Sequence, residues 1–258
     1  MSWASRRQGQ YLLGLFLFIG LIVFILVYPI LTKAPTCSDG KKNGGEQGID
    51  CGGSCSRVCS SEASEPIILW SRAFNVTGST YNLVAFVQNQ NKDAAVASSS
   101  YEFRVYDTNN RLIGRRTGTT FIPPNQEFAI FEPRFDSGLS TVKSVSFEFT
   151  DPFVWVKKAP TLQTLPIHIN NIVVDTQSAS PTLTAQINND SIYELPSFDI
   201  VAILYNADHN AINASKTHSD GMTSNSHAPL LFTWPNQFAE APATNELLIE
   251  INPFTTSF

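Results

Sequence analysis

Four cysteines, Cys37, Cys51, Cys55 and Cys59, are the residues of this chain whose type and spacing most plainly carry chemistry. Thiolates at that density either hold a soft metal or pair as disulfides. Among them stand four oxygen donors, Asp39, Asn43, Glu46 and Asp50, in a loop with glycine at 40, 44, 45, 48, 52 and 53. Carboxylates and an amide in a glycine-rich loop suit a hard cation, which makes calcium the candidate cofactor; the EF-hand spacing is absent, and the alternative is a polar disulfide knot whose acids only face water. The spacing of Cys51, Cys55 and Cys59 would serve zinc in a reducing compartment. The density of four cysteines between Cys37 and Cys59, just past an apolar segment, suits an oxidising one, and hence two disulfides. Four cysteines allow three pairings, and spacing does not choose among them.

Other chemistry is sparse. The chain has no nucleophile elbow, phosphate loop, H-E-x-x-H or paired-carboxylate pattern. His209, His218 and His227 stand nine apart, which is not ligand spacing on one element. We therefore expect no enzyme. A formal net charge of −5 without a basic stripe also excludes nucleic acid as a partner.

The cysteines must be positioned by what precedes them. No charge occurs from Gln8 to Thr32, and the apolar run Tyr11–Thr32 would span roughly 33 Å as a helix, enough for a bilayer. A cleaved signal peptide would have a shorter apolar region, and Pro35 spoils the cut site. The expectation is a single-pass anchor in the lipid bilayer of the cell membrane through residues 11–32. Arg6 and Arg7 before the run nearly balance Lys33, Lys41 and Lys42 after it, so charge alone does not orient it. The cysteines do, placing the N-terminus in the cytoplasm and the C-terminal part outside, extracellular or periplasmic.

Beyond the cysteines the chain repeats itself. Pro66-Ile67 returns as Pro166-Ile167, and the segment Leu83–Asn89 returns as Leu183–Asn189, a shift of one hundred positions. With a one-residue slip, Val105-Tyr106-Asp107 returns as Leu204-Tyr205-Asn206. Each copy shows period-two patterning. Leu83, Ala85 and Val87 alternate with Asn82, Val84, Phe86 and Gln88, which reads as a half-buried strand. Val76–Ser79 and Asp107–Asn110 read as hairpin turns. About seven short strands per copy predict an all-β ectodomain of two tandem immunoglobulin-like β-sandwiches after one transmembrane helix. The expected plan is a tail at 1–10, a helix at 11–32, and a disulfide-rich stalk and linker at 33–65. The first sandwich follows at 66–156, a linker at 157–165 and the second sandwich at 166–258. Trp155 is expected in the linker region as a wedge between the copies. Tyr106 and Tyr205 are expected to pack their rings on the core.

The copies differ in charge. Pro66–Lys158 has ten bases and eight acids, whereas Pro166–Phe258 has one base, Lys216, against nine acids. Arg111, Arg115 and Arg116 form a small basic group in the first copy.

Two local patterns resemble known bacterial elements. Cys37 to Cys55 is similar to the surface-protein stalk element C-x-D-G-x-x-N-G-x-E-x-G-x-D-C-G-G-x-C. Phe103-Arg104-Val105-Tyr106-Asp107 resembles the F-x-L-Y-D signature of the FxLYD domain, with Val105 at the Leu position. The second copy keeps only Leu204 and Tyr205 of that motif. This resemblance implies a LEA-type-2-like sandwich on a bacterial surface, with structural and not catalytic roles for Phe103, Tyr106, Asp107, Leu204 and Tyr205. The expected function is a non-enzymatic envelope protein that contacts another envelope protein or itself. The alternative is a cell-wall or surface polysaccharide-binding module that uses exposed aromatics and the asparagine-rich loops of the second copy.

Overall fold

The computed structural model describes residues 3–31, 34–160 and 164–255. Thr32 at the end of the expected anchor, Lys33 at the start of the expected stalk, and 161–163 of the expected linker lie outside the described residues. The chain forms two compact units, Met1–Cys55 and Ser56–Phe258.

The first unit contains one long helix, α1 (Trp3–Leu31). Its stretch Gln8–Tyr28 is long and apolar enough to cross a membrane. Large side chains along it, such as Tyr11 (73% exposed) and Phe16 (72%), are uncovered by protein. Such a surface is stable where lipid replaces water. The helix begins at Trp3, so most of the expected tail is helical. After it the backbone of the described residues turns repeatedly, with an isolated bridge from Gly48 to Cys51. Gly53 has φ +56°, and a Cβ there would lie 2.0 Å from the Gly45 carbonyl oxygen, so only glycine closes this loop.

The second unit is built of β-strands. In the first copy, β1 (Ile67–Thr77), β2 (Thr80–Asn89) and β5 (Gln126–Asp136) form one antiparallel sheet in the order β1-β2-β5. β4 (Leu112–Ile122), β3 (Ala94–Asp107) and β6 (Val142–Phe149) form another, with β7 (Trp155–Lys157) added to β3. In the second copy, β12 (Ser226–Thr233), β9 (Thr182–Asn189) and β8 (Ile167–Asp175) form one sheet. The other has the order β11 (Ala211–Ser219), β10 (Phe198–Tyr205), β13 (Thr244–Glu250). Each copy is thus a two-sheet sandwich, as the strand periodicity predicts.

Three apolar layers separate the four sheets. Leu83, Ala85 and Val87 of β2 pack with Phe103 and Val105 of β3 inside the first copy. Leu183 and Ile187 of β9 pack with Ile200, Ala202 and Leu204 of β10 inside the second. The third layer lies between the copies, where Phe74, Val84, Phe86 and Ala129 meet Val201, Ile203, Ala211 and Ala214. Successive residues of β2 and β10 therefore feed different cores, as strand geometry requires.

Two expectations are corrected by this arrangement. β2 is not half-buried: Leu83 through Val87 are all buried, because the second copy covers its other face. Trp155 is not a wedge between the copies. It pairs with Val96, is 3% exposed and packs in the core of the first copy. The end of the stalk joins the same strand: Val58 N–H donates to the Trp155 carbonyl at 3.0 Å, and Lys157 N–H to the Ser56 carbonyl at 2.7 Å.

Candidate functional site

All four cysteines are disulfide-bonded, and Cys37 pairs with Cys55. Their sulfurs are unavailable as thiolate ligands for zinc. The acids of the module are drawn together by backbone donors. Gly40 N–H donates to both Asp50 carboxylate oxygens at 3.0 Å. Asn43 and Asp50 N–H groups donate to Glu46 Oε2 at 3.2 and 3.3 Å. Lys41 N–H donates to Asp39 Oδ1 at 2.9 Å, and Asn43 Nδ2 donates to Asp39 Oδ2 at 3.0 Å. The Asn43 amide bond, then backbone donors, hold the Asp39 carboxyl below its usual range. Asp39, Asn43, Glu46 and Asp50 thus staple this loop, while Asn43 Oδ1 is buried with no hydrogen-bond partner among the described residues. A cation here would have to compete with those N–H groups for the same oxygens.

The family-motif residues take structural places. Phe103 is fully buried in the first core. Tyr106 is half-buried and lies outside the residues packed on that core, contrary to the expectation for its ring. Asp107 is buried at the end of β3. Its Oδ1 accepts the N–H groups of Asn109 at 2.8 Å and Arg111 at 2.9 Å, which fastens the turn into β4. Asn206 does the same in the second copy, accepting from Asp208 at 3.1 Å and Asn210 at 2.8 Å. Leu204 is buried in the second core. Tyr205 packs against the layer between the copies, and its hydroxyl donates to Glu246 at 2.8 Å. Burial and that bond push its pKa up.

A second pair of hubs escaped the reading of the sequence, although Asn89 and Asn189 both stand in the repeated segment. Asn89 Nδ2 donates to the carbonyls of Ala94 at 2.8 Å and Pro123 at 2.7 Å. Asn189 Nδ2 donates to the carbonyls of Tyr193 at 2.8 Å and Thr223 at 2.9 Å. Each Oδ1 accepts the N–H two residues ahead, at 3.0 Å in the first copy and 3.2 Å in the second. Both residues are buried, so each ties three chain segments where water cannot substitute.

The junction between the copies carries most of the unusual electrostatics. Arg72 donates from Nη1 to the Ala211 carbonyl at 2.7 Å and from Nη2 to Asn210 Oδ1 at 3.2 Å. Ala129 N–H donates to Glu250 Oε1 at 2.9 Å. Burial pushes the Glu250 carboxyl up to about 8, partly offset by that bond. Glu127 is also raised, by burial and by Glu246 across the junction. Burial opposes ionisation of Asp199, but hydrogen bonds from His218 and Lys216 hold its carboxyl below the usual range. His218 contacts Asp199 at 2.7 Å and Asp220 at 3.6 Å. His209 sits in the turn from β10 to β11, and His227 lies on β12.

Two clefts open along this junction. One of about 350 Å³ is lined by Tyr101, Thr119, Thr120, Asp199, Lys216 and Glu250, among others. Another of about 320 Å³ lies between the β1–β2 turn and the segment 234–240, where Asn236 Nδ2 donates to the Val76 carbonyl at 2.7 Å. The basic group of the first copy is locally spent. Arg111 pairs with Asp107, Arg115 with Glu102, and Arg116 lies over the Phe135 ring. Trp155 and Trp234 are buried and Trp70 half-buried, so these rings form no exposed platform.

No protein-family model matches the chain, and no curated protein matches it. Among solved structures, red sea bream transglutaminase aligns over 73% of this chain and 31% of its own, at 9% identity and TM-score 0.25. Dimeric latent PorU from Porphyromonas gingivalis aligns over 71% of this chain and 19% of its own, at 10% identity and TM-score 0.22. The chain therefore spans a third or less of these structures, and likeness at this level carries no argument about function.

Proposed function

We propose that this is a membrane-anchored, non-enzymatic envelope protein whose tandem sandwiches present a surface to another envelope protein. α1 is the anchor, the disulfide-bonded loop is an exterior stalk, and the β unit is the displayed body. The observation that carries the reading is a row of apolar residues on the outer sheet of the second copy. Val173 and Leu231 both pair with Thr184, so the three share one face. Val173 is 61% exposed and Leu231 55%, whereas the inner sheets bury comparable side chains. Exposed apolar residues aligned on one sheet face, here on either side of Thr184 of β9, favour protein contact more than scattered ones do.

The test places a photo-crosslinking residue at Val173 or Leu231 in native membranes and identifies what is captured. One protein at near-stoichiometric yield supports the reading. Recovery of the chain alone would overturn it. Protease protection of Lys33–Phe258 in intact cells would instead overturn the exterior placement.

A further inference from the structure

We infer that the 320 Å³ cleft at the junction of the two copies is a binding site for an uncharged saccharide unit. The inference begins with one donor. Trp234 lines this cleft, is 4% exposed, and its indole Nε1 is buried with no hydrogen-bond partner among the described residues. A buried N–H without an acceptor carries a desolvation cost, and native structures seldom leave one unmet. An acceptor bound in the cleft would meet it.

The other walls define the chemistry of that acceptor. Phe238 is half-buried, stacks edge-on against Trp234 at 5.2 Å, and supplies an apolar surface. Asn75, Asn213 and Gln237 supply amides. Some of that capacity is spent within the protein: Asn75 Nδ2 donates to the Gly78 carbonyl, and Asn213 Oδ1 accepts the Ala214 N–H. With Asn236, whose Nδ2 is spent on the Val76 carbonyl, what is left is Asn75 Oδ1, Asn213 Nδ2, Asn236 Oδ1 and the Gln237 amide, a mixture of donors and acceptors. Mixed amides beside an aromatic face fit a ligand whose edges are hydroxyls and whose faces are C–H.

Charge narrows the class. Among the described residues Glu240 is the one ionisable group lining the cleft, and the surrounding copy has one base against nine acids. Such a field disfavours uronic, phosphorylated or sialylated units and leaves neutral sugars. The cleft also needs both copies, since Asn75 and Val76 come from the first and Trp234–Glu240 from the second. Docking of the two sandwiches thus creates a site that neither has alone.

The experiment uses the full chain in nanodiscs, titrated with neutral trisaccharides of glucose, mannose and N-acetylglucosamine and with trigalacturonate. Binding is read by calorimetry and by tryptophan fluorescence. At least one neutral sugar should bind saturably, and trigalacturonate should not. Gln237→Ala and Asn213→Ala should each weaken binding by about fivefold or more at unchanged Tm, and Trp234→Phe by about tenfold, with loss of the fluorescence change. Should Trp234→Phe fail to fold, the two amide variants decide. The inference is overturned if no neutral sugar binds below about 10 mM. It is equally overturned if trigalacturonate binds as well as the neutral sugars, or if the amide variants bind like the parent.

Discussion

The two sandwiches keep the same hydrogen-bonded joints while their charges diverge. Asn89 and Asn189 make matching bonds one hundred residues apart. Left-handed residues recur at Asn125 and Asn225, both at φ 50°, and at Asn110 and His209, both at φ 58°. Yet the second copy has lost nine of ten bases. Surface charge is thus free to drift in this fold, whereas buried amides and turn geometry are not. The comparison also shows where the copies stop being equivalent: β2 and β10 bury both faces because they meet, while β3 and β9 do not.

The sharpest way to break that symmetry is to attack the shared layer. Ile203 is fully buried there, opposite Phe74, Val84, Phe86 and Ala129. Ile203→Asp would leave an unpaired charge between the sheets, at a cost on the order of 3–5 kcal/mol. We expect thermal unfolding to split into two transitions, with the second copy melting first. A single transition at a lower temperature would mean that the copies cannot fold separately.

Asn89→Leu and Asn189→Leu should come next. Asn89→Leu strands two buried carbonyls and a backbone N–H, for roughly 2–4 kcal/mol, and Asn189→Leu removes the matching bonds from part-buried partners. Similar losses in denaturant titrations would establish the hubs as equivalent. A much smaller loss at Asn189 would show that Ser191, whose Oγ donates to Asn189 Oδ1 at 2.6 Å and to the Tyr193 carbonyl at 3.2 Å, shares the load.

How much of this was legible is itself a matter of which copy faces what. The repeat, the turns at 76–79 and 107–110 and the two-sheet pattern follow from local spacing, so the sequence displays them. The docked layer was also written there, in the uninterrupted apolar run Ile200–Leu204 and in Val84 and Phe86 on the supposedly wet face of β2. Period-two reasoning, however, stops once one face has been explained. Trp155 was misplaced because three residues of strand leave too short a pattern to read. Neither the raised carboxyl of Glu250 nor the unpartnered indole of Trp234 shows in the sequence. A raised carboxyl or an orphan indole N–H exists only once two segments far apart in the chain have met.

Glu250 offers a gentler probe of the junction. Its folded pKa of about 8 lies above the 4.5 of an ordinary glutamate, so the folded state holds the proton more tightly between those values. Stability should therefore be greatest below about pH 4.5 for this group, fall as pH rises towards 8, and level off above it. Glu127, raised in the same direction, adds to the slope. Glu250→Gln should flatten the curve and raise Tm at pH 8 by roughly 2–4 °C for each kcal/mol recovered. An unchanged pH profile would mean that the Glu250 carboxylate finds solvent at the junction.

The smallest effect, and the finest test of the comparison, is the exchange of Asp107 and Asn206. Both side chains cap the same turn through Oδ1, so the cap itself should survive either swap. Asp107→Asn removes only the ion pair with exposed Arg111 and the acid dependence. The N–H of Arg111 is the main cause holding the Asp107 carboxyl below its usual range, with burial opposing it. Its contribution is therefore present above pH 3.8, the ordinary aspartate value, and lost as pH falls through the depressed one. The variant should be slightly less stable than the parent at neutral pH, lose less as pH falls, and converge with it in acid. Asn206→Asp is not its mirror image. Asn206 Nδ2 donates to Glu240 at 2.8 Å, and an aspartate there would set two carboxylates against each other in a copy with a single lysine. It should cost about 1 kcal/mol or more at pH 7 and recover at pH 4. Equal effects of the two swaps at neutral pH would show that the drift in charge was neutral even at the joints. Unequal effects would show that the second copy, having become acidic, now requires an amide where the first holds an acid.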